Sequence, residues 1–179
     1  DRTQLPHDVL LARQRGCGGR HIAVLFAADV CHRDSGWIKP ESYLAHSYIF
    51  QVVNYSGGAS GAFHAIAVDS GLPCVVSYQS GGSSRWGCSD TALTNGVWYH
   101  LTAVVSSATD RRLYVNGVQK GYNTDSSTPA SLSRTVIGGF RRSDTNNWFY
   151  DGIIDNVEVY SYARTAAQVV VAGAAVEQV

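Results

Sequence analysis

Apolar residues along this chain fall into short runs separated by turns rich in Gly, Ser and Asn, and the pattern predicts strands almost throughout. Runs over residues 48–55, 62–69, 74–79, 85–88, 96–105, 111–115, 118–122, 134–140, 148–151 and 153–160 read as strands. Residues 37–40, Trp-Ile-Lys-Pro, read as the end of another, stopped by proline. The intervening stretches 56–61, 80–84, 123–133 and 141–147 are polar or glycine-rich and read as loops. Asn116-Gly117, between two apolar runs, predicts a tight hairpin, because a type I′ turn needs positive φ at both central positions. Residues 1–35 are less regular: 8–14 fit one or two helical turns, and the apolar run 22–28 fits a buried strand. Near the end, 163–168 reads as a single helical turn introduced by Arg164-Thr165, and 169–179 as a return along a sheet. About a dozen short strands without repeat or linker predict one all-β domain over 1–179, an antiparallel β-sandwich or jelly roll.

Composition agrees with that reading and removes several function classes. The 179 residues are 45% hydrophobic and 16% charged, with 18 Gly, 10 Tyr and 4 Trp, a mix suited to strands and turns rather than long amphipathic helices. Fourteen Lys and Arg balance fourteen Asp and Glu and are scattered, so the basic stripe that a phosphate backbone demands is missing and no nucleic acid partner is expected. No run approaches the length of a membrane span, and the Val- and Ala-rich stretch 169–176 is too short, so no membrane insertion is expected. The sequence starts at Asp1 and contains no Met, which suggests a processed product or a segment of something longer.

The four cysteines form two neighbouring pairs, Cys17 with Cys31 and Cys74 with Cys88. If 74–79 and 85–88 pair across their Gly-rich turn, Cys74 and Cys88 come nearly opposite one another, which suits a cross-strand disulfide. Even number and local pairing point to disulfides, an oxidising compartment and a secreted or cell-surface protein. Zinc held by Cys17, His21, Cys31 and His32 is the competing reading. Their spacing fits no common zinc module, and adjacent Cys31 and His32 would face opposite sides of a strand. Asn54-Tyr55-Ser56 is a glycosylation sequon, consistent with secretion.

Three segments, in order, carry a family signature: Gly36-Trp37-Ile38-Lys39-Pro40; Gly96-Val97-Trp98-Tyr99-His100-Leu101, continued by Leu113-Tyr114-Val115-Asn116-Gly117; and Val136-Ile137-Gly138-Gly139, followed by Tyr150-Asp151-Gly152-Ile153-Ile154-Asp155-Asn156-Val157-Glu158-Val159-Tyr160. Together they resemble the laminin-G-like branch of the concanavalin A-like lectins and glucanases over residues 36–169. The resemblance implies a concanavalin A-like jelly roll serving as an extracellular binding or adhesion module. The chain departs from the family at Asn156, where an acidic residue is usual, and no Phe-Asp-Gly opening strand is recognisable before residue 36, so 1–35 is a divergent N-terminal segment.

The same superfamily contains glucanases, and a retaining glycosidase of that kind needs two carboxylates about 5 Å apart. The nearest string to the glucanase motif runs from Ile153 to Glu158 and puts Ile153 at the nucleophile position, where no glycosyl intermediate can form. No Gly-x-Ser-x-Gly or His-Glu-x-x-His occurs, and the Gly-Gly loops lack the Lys and Ser or Thr of a phosphate cradle. The expectation is therefore a protein that is not an enzyme. Strict alternation puts Asp155 on the face of Val157 and Val159, where an unpaired charge is costly. In related jelly rolls that aspartate binds a structural calcium (Ca2+) with an N-terminal acidic partner, while the alternative is that Asp155 accepts backbone N–H bonds. His100, in the apolar strand, is expected to be a hydrogen-bonded sheet histidine rather than a ligand. For recognition, aromatic platforms beside polar loops are the candidates: Arg85 and Trp86 at one turn, and Arg141, Asp144, Asn146, Trp148 and Tyr150 around another. The expected ligand is a glycan or glycosylated surface. The alternative is an assembly domain that contacts other extracellular protein chains.

Overall fold

The computed structural model describes residues 32–42, 46–54, 61–141, 146–160, 163 and 165–169, without the side chains of residues 32 and 146. Among these the chain forms β1 (His32–Pro40), β2 (His46–Val53), β3 (Phe63–Asp69), β4 (Leu72–Tyr78), β5 (Ser84–Cys88), β6 (Tyr99–Ser107), β7 (Asp110–Val115), β8 (Val118–Asn123), β9 (Arg134–Ile137), β10 (Phe140–Arg141), β11 (Asn146–Asn147) and β12 (Gly152–Tyr160). They build two five-stranded antiparallel sheets, β12-β1-β6-β7-β8 (sheet I) and β5-β4-β3-β2-β9 (sheet II), with β10 and β11 as a separate small hairpin. The all-β antiparallel sandwich is thus the fold. The expected tight turn joins β7 to β8, with φ of 49° at Asn116 and 79° at Gly117.

Side-chain alternation assigns the faces. Ile38, Leu101, Ala103, Leu113 and Val157 of sheet I meet Phe50, Val52, Ile66, Val68 and Val75 of sheet II in the core between the sheets. Sheet II is also buried on its other side, where Val53, Phe63, Ala65, Ala67, Val76 and Tyr78 form a second apolar cluster. Burial of both faces explains why β2, β3 and β4 read as nearly continuous apolar runs rather than alternating ones. On the outer side of sheet I, Val104 and Tyr114 pack with Val169, the last residue of a helical turn over 166–169. Thr165 and Gln168 cap that turn reciprocally: the Thr165 N–H donates to Gln168 Oε1 at 3.0 Å, and the Gln168 N–H to Thr165 Oγ1 at 3.4 Å.

One edge of the sandwich is pinched shut. A Cβ on Gly121 of β8 would lie 2.5 Å from the Gly87 carbonyl oxygen of β5, and one on Gly87 would lie 2.8 Å from the Tyr122 carbonyl carbon. Only two glycines let the backbones of the two edge strands approach so closely. Beneath the contact Arg111 is wholly buried and donates to the carbonyls of Ala108 and Asp125 and to Asn123 Oδ1. The Asn123 amide then donates across to the Trp86 carbonyl of β5 at 3.2 Å. Burial is the main influence pushing the Arg111 guanidinium below its ordinary pKa, opposed by Asp125. Cys74 and Cys88 face each other in the β4–β5 register and form the expected disulfide.

Several boundaries differ from those the pattern predicts. The 96–105 strand begins only at Tyr99, because Gly96 (φ 78°) sits in a turn closed by Val97 N–H to Thr94 O at 3.3 Å. The 134–140 run is broken into β9 and β10 at Gly138 (φ 76°), and residues 148–151 make a single bridge, Phe149 to Tyr48, in place of a strand. The polar loop expected over 141–147 instead ends in β11, which pairs with β10. The largest difference concerns Asp155. Ser35 pairs with Glu158 and Trp37 with Asp155, so Gly36 stands against both Asn156 and Val157. Asn156 takes up the extra residue at φ 49°, a conformation an Asn tolerates well. This bulge resets the alternation: Ile154 and Val157 both face the core, and Asp155 lies with Trp37 on the opposite side. Residues 8–14, 22–28 and 170–179 and the pair Cys17 and Cys31 lie outside the described residues.

Two measurements follow from this packing. Gly121→Ala drives a methyl into the β5 backbone and should destabilise by about 1–3 kcal/mol in urea titration. His100 stays in the sheet: its backbone N–H donates to Asn116 Oδ1 at 2.8 Å and its ring packs against Trp37 with centroids 5.0 Å apart. Ring Nδ1 of His100 is buried without a hydrogen-bond partner among the described residues, so the expected hydrogen bonding is the backbone's. Burial first, then Arg33, lowers its pKa from 6.5 to about 4. The folded protein keeps this ring neutral while the unfolded chain protonates it, so the unfolded state binds more protons between those values. Stability should be full above pH 6.5 and fall on acidification to pH 4, by on the order of 3 kcal/mol from this group. In His100→Gln that component of the acid sensitivity should vanish from denaturation curves taken across this window.

Candidate ligand-binding surface

The outer face of sheet II ends in an aromatic cluster at the start of β2. A register shift between Tyr48 and Phe50 lets Ile49 face the inter-sheet core while Tyr48 joins the outer cluster. There Tyr48 meets Phe140 at 4.5 Å between centroids and lies edge-on to Phe63 at 6.1 Å. The Tyr48 N–H donates to the Trp148 carbonyl at 3.0 Å, and the two rings stack at 5.9 Å with planes 22° apart. Trp148 adopts φ 49° and is 41% exposed. A tryptophan held in the left-handed region costs about 1–3 kcal/mol, so the rest of the fold must be imposing this ring position.

His46 lies between two tryptophans, 5.8 Å from the Trp86 ring and 5.7 Å from the Trp148 ring. Its Nδ1 lies 3.2 Å from Asp69 Oδ1, its register partner on β3. The result is a partly exposed row, Trp86–His46–Trp148, backed by buried Tyr48 and Phe140. Next to the second tryptophan's hairpin, Gln51 is wholly buried and its Oε1 accepts the Arg141 N–H at 2.9 Å, which ties β10 to β2. Aromatic faces beside an imidazole and a carboxylate are suited to stacking against the apolar faces of a sugar ring while hydrogen-bonding its hydroxyls.

The residues singled out from sequence divide accordingly. Trp86 and Trp148, far apart in the chain, are brought together. Arg85 turns toward Asp125, at 3.8 Å, and flanks the row. Arg141 and Asn146 pair within the β10–β11 hairpin beside it. Tyr150 does not join: its N–H donates to the Gly138 carbonyl at 3.1 Å, and its ring packs against the core between the sheets. Asp144 lies outside the described residues. Asp155 is remote from the row and accepts the Asn156 N–H at 2.9 Å, the hydrogen-bond role considered for it. Among the described residues no group of three or more His, Cys, Asp or Glu that could hold a metal gathers there or elsewhere. Asn54 Nδ2, the atom a glycan would occupy, donates to the Ala130 carbonyl at 3.2 Å. Sequence reasoning missed His46, Tyr48, Phe140 and Asp69, which occupy ordinary strand positions; only the β2 bulge and strand pairing converge them.

Comparison with known proteins bears on the family and the fold. A family model of laminin-G type, described as the concanavalin A-like lectin/glucanases superfamily, matches residues 35–170. No curated protein matches the chain. Among solved structures, the chain resembles a heptameric SAP-like pentraxin from Limulus polyphemus (18% identity, TM-score 0.69, 93% of this chain and 82% of that one). It also resembles the CBM40 of a Ruminococcus gnavus IT-sialidase bound to α2,3 sialyllactose (13%, 0.70, 87% and 97%). A third is domain 4 of AbnA, an extracellular arabinanase from Geobacillus stearothermophilus, in complex with arabinotriose (19%, 0.60, 90% and 85%). No helix among the described residues is long and apolar enough to cross a membrane.

The Gln51 anchor can be tested directly. Gln51→Leu leaves the Arg141 N–H without its acceptor and should cost about 1–2 kcal/mol. Amide exchange at Arg141 should accelerate, while exchange at β3 and β4 amides changes only by the global loss.

Proposed function

The chain belongs to the concanavalin A-like lectin/glucanase superfamily, and we propose that it is a noncatalytic, secreted carbohydrate-binding module whose ligand stacks on the Trp86–His46–Trp148 row. The observation that carries this reading is Trp148: its ring is exposed, stacked on Tyr48, and kept in a backbone conformation that tryptophan disfavours. Structure of that kind persists where function requires the side chain outside. The folds of two carbohydrate-complexed binding modules support it. Hydrolysis calls for two carboxylates around a scissile bond, and among the described residues Asp69 reaches the row, where it lies 3.2 Å from His46 Nδ1. The disulfide supports an oxidising, extracellular setting. A structural calcium at Asp155 belongs to the proposal only together with groups beyond the described residues.

A second reading, assembly with other protein chains, is favoured by exposed Val97, Trp98, Phe149 and Ile153. The hydrogen bonds Gly96 N–H to Pro40 O and Glu41 N–H to Asp151 O gather the loops bearing them around the end of β1. A glycan array, run with calcium and with chelator, separates the two. Binding to a defined glycan class is expected, weakened about tenfold or more in Trp86→Ala and Trp148→Ala with melting temperatures within a few degrees of wild type. A calcium-dependent signal would support the ion as well. Silence toward every glycan in both buffers, with concentration-dependent self-association in sedimentation, would favour assembly instead.

A further inference from the structure

The carbohydrate reading makes the position of the Trp86 ring decisive, yet Trp86 lies on β5, the short edge strand of sheet II. We propose that Asn123 of the opposite sheet is a positioning residue for Trp86, transmitting the fixed place of buried Arg111 to the ligand surface; this rests on the proposed function. Asn123 uses both ends of its amide. Its Oδ1 accepts from Arg111 Nη2 and from the Asp125 N–H, and its Nδ2 donates to the Trp86 carbonyl at 3.2 Å and, more weakly, to Asp125 Oδ2 at 3.5 Å. The Gly87–Gly121 contact brings the two backbones close enough for that reach. On its other side Trp86 is followed two residues later by Cys88, bonded to Cys74. The strand is therefore held from sheet II by the disulfide and from sheet I by Asn123. An Asn is required because one atom must accept from a buried cation while the other donates to a carbonyl. Asn123 touches no proposed ligand atom and acts only through Trp86.

Asn123→Asp separates the two duties. The carboxylate still accepts from Arg111, and pairs with it more strongly, but presents an oxygen to the Trp86 carbonyl and no longer donates. The melting temperature should stay within several degrees of wild type, because the stronger pairing with Arg111 opposes the repulsion from the Trp86 carbonyl and from Asp125 Oδ2, which the new oxygen faces. The Trp86 indole N–H resonance, assigned by its loss in Trp86→Phe, should shift or broaden, and affinity for the glycan found on the array should fall about fivefold, the loss of one ordinary hydrogen bond. A folded Asn123→Asp with an unmoved Trp86 resonance overturns the positioning role. A moved resonance in a protein that binds no glycan sustains the positioning role and rejects the carbohydrate reading, so the two failures are distinct. Wild-type protein gives a measurement that needs no variant: a scalar coupling across the hydrogen bond from Asn123 Nδ2 to the Trp86 carbonyl carbon, with slowed exchange of the Asn123 side-chain amide protons. Its presence supports the link, and rapid exchange of those protons without coupling overturns it.

Discussion

Burying Arg111 between the sheets constrains everything at one edge of this sandwich. A guanidinium that water no longer solvates is tolerated only if protein oxygens take over, and here three do: the carbonyls of Ala108 and Asp125 and Oδ1 of Asn123. Those acceptors lie on the β6–β7 turn, the end of β8 and the turn that follows, so satisfying one cation fixes the relative placement of all three segments. Once Asn123 is fixed, its amide nitrogen donates to the backbone of the other sheet as well as to Asp125 Oδ2. The glycine pair at 87 and 121 is the steric condition for the same approach. An apolar side chain in place of Arg111 could fill the volume, but it would not tie β8 to β5.

Sheet II is unusual for an antiparallel layer in being buried on both sides, and this shapes the ligand surface. Its outer cluster is small in the middle, with Ala65, Ala67 and Val76, and aromatic at the β2 end, with Tyr48, Phe63 and Phe140. Large rings placed against one another at one end leave the outermost, Trp86 and Trp148, partly exposed among the described residues. Partial exposure of stacked rings supplies apolar contact area with little conformational entropy left to lose on binding. His46 and Asp69 add polar atoms beside the rings.

Much of the fold was legible in the sequence, because local chemistry dictates it. The Asn116-Gly117 turn, the apolar runs that became β2 to β4, and the opposition of Cys74 and Cys88 all follow from turn preference, two-residue periodicity and pairing across a short turn. The helical turn near the end follows from Thr165 and Gln168 at capping-box spacing. Family resemblance agreed with the sandwich that the strand pattern predicts and carried the expectation of a binding surface, while aromatic residues beside polar loops made Trp86 and Trp148 candidates.

What only the tertiary structure decided depends on contacts between distant residues. The bulge at Asn156 exists because Gly36 on the neighbouring strand stands opposite two residues, and it reversed the face of Asp155 that strict alternation had predicted. Tyr150 was drawn into the core, although it lies only two positions from exposed Trp148, because φ 49° at Trp148 redirects the chain between them. His46 and Tyr48 carry no sequence mark of a site; they belong to one because strand pairing brings β2 between β5 and the β10–β11 hairpin. Sequence determines which residues can stack, turn or pair, since those properties are local. Which of them meet is settled by register and by the buried cation at the sandwich edge, and these are properties of the whole fold.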